Sequence, residues 1–93
     1  MILVKTHNSE NSNILTLCDH DLIGKQIGHI VIDEKFYKGE KMESEKIIKL
    51  IKISGSINAF GIETIKFLLD NKIINKETIK YFDKVPHAQI FTI

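Results

Sequence analysis

His87 and Gln89 stand two residues apart in the run Val85-Pro86-His87-Ala88-Gln89-Ile90, and in an extended chain that spacing puts both side chains on one face. An imidazole and a carboxamide side by side offer donors and acceptors together, the makings of a small recognition pair. The plainer role is a polar strand opening in which Gln89 satisfies neighbouring backbone, and the residues by themselves favour it. A second segment, Gly55-Ser56-Ile57-Asn58-Ala59-Phe60-Gly61, sets two glycines and small polar groups ahead of an amphipathic stretch. Free N–H groups at a helix start can hold an anion. The segment lacks the Gly-Lys-Ser/Thr ending of a phosphate loop, and it does not read as following a strand of a βαβ unit, so a helix–helix connection is the expectation.

Other chemistry is poorly supplied. Asp19-x-Asp21-x-x-Gly24 opens like a calcium loop, but Ile23 and Ile30 stand where oxygen ligands belong, so the two aspartates read as turn and capping residues. Cys18, His20 and the scattered His7, His29 and His87 show no paired zinc-ligand spacing, so neither metal nor other cofactor is expected. A nucleophilic Cys18 would need a base and a lowered pKa, and a small buried hydrophobe is the better reading. No catalytic signature emerges, and the balance leans away from an enzyme.

Thirteen basic residues, all lysine, face twelve acidic ones, and a net charge of +1 creates no overall field for nucleic acid or an anionic membrane. Any such binding must be local. The lack of arginine removes the planar fork that reads guanine edges, which disfavours sequence-specific DNA recognition. Eighteen isoleucines beside so many lysines also fit A/T-rich codon usage, which would put Lys in place of Arg everywhere. With 93 residues, 43% of them hydrophobic, one core and a single domain over 1–93 are expected. No apolar run approaches the roughly 18–20 residues that span a bilayer. Lys5 breaks the opening apolar run too early for a signal peptide, so the expected location is cytoplasmic.

These residues need elements to position them. The aliphatic, β-branched residues 1–7 and 14–18 read as strands joined through the turn formers of 8–13, and residues 27–32 as a third strand. Asp33 to Glu40 reads as a turn around Phe36 and Tyr37. Glu43, Ser44 and Glu45 mark a helix start, with Ile47, Leu50 and Ile51 on the buried face and Lys46, Lys49 and Lys52 on the solvent side. Ser54-Gly55-Ser56 breaks that helix. A second one carries Ile62, Ile65, Leu68 and Leu69 and stops near Asn71. Residues 79–82 and 88–93 close the chain as strands. The expected class is α+β, in the order βββααββ, a mostly antiparallel or mixed sheet with both helices on one face.

The segments CDHDLIGK (18–25), FYKGE (36–40), INAFG (57–61) and VPHAQI (85–90), in this order, resemble the archaeal family called domain of unknown function 424. The resemblance spans nearly the whole chain, and the last motif is the most specific. It implies an archaeal, single-domain cytoplasmic protein with no established activity. It also shifts weight toward function at Gly24, Lys25, Asn58, Gly61, Pro86, His87 and Gln89. The stretch from Lys25 to Phe36 is short for the family. Basic positions that could be arginine elsewhere are lysine or absent here, which puts any arginine-borne anion role in doubt.

The leading expectation is a non-enzymatic binding module in archaeal information processing, contacting RNA or a ribonucleoprotein through the Lys46, Lys49 and Lys52 stripe with Phe36 and Tyr37 as exposed-aromatic candidates. A solvated lysine face and core aromatics are the plain counterpart. The second expectation is a small-molecule enzyme or sensor, in which Lys25, Asn58, His87 and Gln89 gather an anionic ligand near Gly61. The third is a protein–protein adaptor or homodimer formed through a strand edge or helix face. Oligomeric state is not readable from the sequence. Whatever the function, His87 and Gln89 are expected beside the segment Asn58 to Gly61.

Overall fold

The fold, a computed structural model, is described for residues 1–8, 10 and 13–91. Parts of two expected elements, the turn at Ser9, Asn11 and Ser12 and the strand end at Thr92 and Ile93, lie outside the described residues. Strand β1 (Ile2–Asn8) pairs antiparallel with β2 (Asn13–Asp19), in a register running from Ile2 opposite Asp19 to Asn8 opposite Asn13. From Leu15 to Asp19 every residue of β2 is buried, as befits a central strand covered on both faces.

The next stretch holds two very short strands, β3 (Gln26–Ile27) and β4 (Ile30–Val31), which pair as a hairpin of their own. One continuous strand over 27–32 was expected. Gly28, at φ +61°, turns the chain instead. The one-turn helix α1 (Glu34–Tyr37) is capped by the Asp33 carboxylate, which accepts from the Lys35 N–H at 3.1 Å, and β5 (Glu40–Lys41) then pairs with β1.

Helix α2 (Ser44–Ile53) buries Ile47 and Ile51, one turn apart, as its periodicity requires. Between it and α3 (Ile62–Asp70) runs β6 (Ser56–Phe60), where a helix–helix connection was expected. This corrects the expected order βββααββ. Ile57 and Ala59 point to one face and Asn58 and Phe60 to the other, and pairing on both sides holds so short and polar-interrupted a strand: parallel to β2, antiparallel to β8 (Val85–Phe91). Strand β7 (Lys80–Phe82) closes the far edge. The six-stranded order is β5-β1-β2-β6-β8-β7, and β2–β6 is its one parallel pair among the described residues.

Both long helices cover the same face, so the α+β class with a mixed sheet and helices on one side holds. Val4, Leu15, Leu17, Ile57, Ala59 and Ala88 meet Ile47, Ile51, Ile65 and Leu68 there. Each aliphatic side chain fully buried in that layer contributes roughly 1.5–3 kcal/mol. On the opposite face a second, smaller cluster gathers Cys18, Ile27, Ile32, Tyr37 and Phe60 beneath the segment from Leu22 to Tyr37. α3 ends in a Schellman motif: the Ile73 N–H donates to Leu68 O at 2.9 Å and the Lys72 N–H to Leu69 O at 3.0 Å. Lys72, not Asn71, takes the left-handed conformation, at φ +58°. Among the described residues no helix is long and apolar enough to cross a membrane.

Candidate functional site

Pairing of β6 with β8 sets Asn58 opposite Gln89 and Phe60 opposite His87, so the two distinctive segments are neighbours on the face turned away from the helices. His87 Nε2 and Asn58 Oδ1 are 2.9 Å apart. With the amide oxygen as acceptor, Nε2 carries the proton and Nδ1 is left a bare acceptor. That Nδ1 is buried and meets no hydrogen-bond partner among the described residues, an arrangement rare enough to need a reason. Rings account for its surroundings. His87 lies over Phe60 at 4.2 Å between centroids and meets Phe82 edge-on at 5.6 Å.

The electrostatics follow from this packing. Burial lowers the His87 pKa from its ordinary 6.5, and the neighbouring Lys80 ammonium lowers it further, so the ring is neutral at pH 7. Tyr37 packs edge-on to Phe60 at 5.6 Å. Burial pushes its hydroxyl up to about 12, with Cys18 adding to the rise and a hydrogen bond from the Asn58 side chain opposing it. Cys18 is fully buried, and burial, then Asp19 and Asp21, raise its thiol to about 12. A thiol so held is inert. A neutral Tyr37–Asn58–His87 chain of donors and acceptors can orient a polar group.

Gly61 serves a different purpose from the one its motif suggested. Its N–H donates to Pro86 O at 3.0 Å, and its φ of +117° opens the start of α3 to Asp19. The Asp19 carboxylate accepts from the Glu63 N–H at 3.0 Å, the Thr64 N–H at 2.8 Å and the Thr64 hydroxyl at 2.7 Å. A side chain at position 61 would run into that carboxylate. The anion at this helix N-terminus is therefore the chain's own, and the N–H groups expected to hold a ligand are already used. Asp19 was expected to cap, but a local turn; no sequence signal links it to a helix 43 residues on.

Lys25 does not join the cluster. Its backbone closes the turn before β3, with its N–H on Leu22 O at 3.0 Å and its carbonyl taking the Ile32 N–H at 2.9 Å, while its exposed side chain bonds to none of Asn58, His87 and Gln89. Of the five expected contact residues, then, Asn58, His87 and Gln89 converge, Gly61 abuts them through Pro86, and Lys25 stands apart. Tyr37, Phe60 and Thr64 complete the surroundings and were not foreseen in those roles. Among the described residues no group of three or more His, Cys, Asp or Glu side chains could hold a metal ion.

On the other side of the molecule, Lys46, Lys49 and Lys52 are all exposed on α2, and among the described residues none lies in an ion pair. Lys49 and Lys52 border a shallow groove of about 330 Å³ that Ser44, Glu45, Ile48 and Asn71 also line. The aromatics paired with this stripe in the sequence reading are not a surface platform. Tyr37 is 7% exposed, and half-buried Phe36 stacks on the His7 ring at 4.4 Å because α1 folds across β1 and β2.

No curated protein matches the sequence. Among solved structures, the crystal structure of an uncharacterized conserved protein from Methanopyrus kandleri is similar, with a TM-score of 0.84 and 27% identity over 97% of this chain and 90% of that one. The profile of the family described as protein of unknown function (DUF424) matches residues 7–93. With the match running across both strands of the Asn58–His87 pair, the helix capped by Asp19 and the lysine-bearing α2, this chain belongs to the DUF424 family.

Proposed function

We propose that this protein is a non-enzymatic binding module of the archaeal cytoplasm that contacts single-stranded RNA, free or within a ribonucleoprotein. One observation carries the reading: three lysines at helical spacing on α2, all exposed and none in an ion pair among the described residues. Steps of three along a helix turn by about 300°, so the three ammonium groups stay within roughly a third of the circumference and form one patch for phosphates. Burial raises the Cys18 thiol to about 12, which counts against a nucleophilic role for it. The Glu63 and Thr64 N–H groups at the start of α3 are bonded to Asp19, which weighs for the RNA reading over the small-molecule one.

Fluorescence anisotropy with a labelled twelve-nucleotide oligouridylate tests the proposal. Weak, salt-sensitive binding is expected, in which three displaced counterions give a log–log salt slope of about 2. Replacing Lys46, Lys49 and Lys52 together by glutamine, which keeps helix propensity, should weaken binding and flatten that slope. Unchanged affinity and slope in the triple variant would reduce the stripe to a solvated face. The homodimer reading has one point in its favour: β7 pairs only with the first three residues of β8, leaving the outer edge of 88–91 without a partner strand among the described residues. A dimeric mass in solution would support it.

A further inference from the structure

The helix-free face of the sheet carries a feature that the lysine stripe does not explain. Strand alternation puts His87, Gln89 and Phe91 on this face of β8, and register sets Ser56 beside Phe91 and Asn58 beside Gln89. Phe91 is 69% exposed, a large aromatic ring left in water at the sheet's surface. Gln89 is exposed, and its carboxamide makes no hydrogen bond within the described chain. The adjoining Asn58 amide is already committed to His87 and Tyr37. The patch therefore combines an open stacking surface with an unspent donor and acceptor, bordered by an amide locked in place.

Charge borne by the sheet strands on this face is one-sided, while the segment that covers part of it adds Asp33 and Glu34 at the start of α1. Register puts Lys5, Lys41 and Lys80 on this side of β1, β5 and β7; the Lys5 ammonium donates to Lys35 O of α1, so Lys41 and Lys80 are the exposed pair. The two carboxylates in the sheet strands, Asp19 and Glu40, lie in register with the helix-covered side. A planar ring, a free amide and a rim of lysines without strand-borne acid suit a nucleobase attached to a phosphate backbone: the base stacks, its edge meets the amide, and the lysines face the phosphates.

We infer that the β6–β8 surface formed by Phe91, Gln89 and Ser56 is a base-stacking site for single-stranded RNA. This inference rests on the proposed RNA reading and adds to it a second contact, on the face opposite α2.

The test compares two labelled probes of equal length and charge, a twelve-nucleotide oligouridylate and an abasic ribose-phosphate 12-mer, on wild type, Phe91→Ala, Gln89→Ala and the α2 triple-glutamine variant. The oligouridylate should bind wild type about tenfold more tightly than the abasic probe, the scale of one lost stack. Phe91→Ala should erase most of that preference and leave the salt slope intact, Gln89→Ala should reduce it less, and the triple variant should keep it while losing slope. Thermal melts show whether the exposed-site variants remain folded. Equal binding of the two probes by wild type, or a preference that survives Phe91→Ala, overturns the stacking site and leaves the RNA reading standing. Failure of both probes to bind at low salt overturns both.

Discussion

The two faces of the six-stranded sheet solve the same problem in different ways. On one, α2 and α3 lay aliphatic stripes over Leu15, Leu17, Ile57 and Ala59, and the buried polar pair Asp19–Thr64 sits at the N-terminus of α3 with its hydrogen bonds made inside the layer. On the other, the segment from Leu22 to Tyr37 covers the Cys18 and Phe60 end but leaves Asn58, His87, Gln89 and Phe91 half-buried or open. Two full helices are absent from that side, and short strands with one helical turn cannot shield a whole sheet. The difference lies in how polar groups are satisfied: the closed face completes its hydrogen bonds internally, whereas the open face pairs Asn58 with His87 but leaves the buried His87 Nδ1 without a partner among the described residues.

The comparison can be broken most severely where the closed face is anchored to the sheet. Gly61→Ala drives a methyl group into the Asp19 carboxylate at a φ of +117°, and a loss beyond about 3 kcal/mol is expected in urea unfolding. Adding Asp19→Ala should cost less in that variant than in wild type, because the clash partner goes together with its hydrogen bonds. Simple additivity of the two changes would mean that Gly61 does not exist to admit Asp19.

A smaller effect separates the open face by pH. Because burial and Lys80 hold His87 below its ordinary 6.5, the unfolded chain takes up a proton that the folded chain refuses as pH falls through about 6.5. Stability is thus fully present above that value and declines beneath it, until the folded pKa is also passed. Between about pH 7.5 and pH 5, the urea midpoint of wild type should fall further than that of His87→Gln. Equal falls would mean that the imidazole charges freely in the fold.

The smallest expected change is a gain. Asp83 and Lys84 join β7 to β8 as a two-residue turn with φ of +47° and +69°, a conformation that favours glycine at its second position. Lys84→Gly should stabilise by about 1 kcal/mol, a rise of several degrees in Tm. It would also leave in place the bond from the Gly28 N–H to the Asp83 carboxylate, at 2.6 Å, that ties the β3–β4 hairpin to this turn. A lowered Tm would show that the Lys84 side chain contributes more than its backbone strain costs.

Much of the closed face was legible because it depends on local period. Weak alternation in residues 1–7, the aliphatic run of 14–18 and the three-and-four spacing of Ile47, Leu50 and Ile51 each announce an element that burial then uses. The exposure of Lys46, Lys49 and Lys52 follows from that same helical period. Ile57 to Phe60 was misread because Asn58 and two flanking glycines imitate a loop, and only pairing with β2 and β8, both distant in sequence, makes it a strand. Adjacency of His87 and Gln89 was readable from the two-residue strand period, but their partner Asn58 came into view through the family resemblance and not through any periodicity. The burial of Phe36 and Tyr37 depends on where a four-residue helix folds back, which no local pattern encodes.

The central claim is that RNA meets the open face at β8 as well as the lysines of α2, and a two-dimensional amide NMR titration of the labelled full chain with oligouridylate tests it most directly. The account predicts concentration-dependent shifts at Ser56, Gln89 and Phe91 together with Lys46, Lys49 and Lys52, while buried amides such as those of Leu17 and Ile65 stay in place. A titration that moves none of these six, or that moves only resonances around Lys25 and the β3–β4 hairpin, would contradict it.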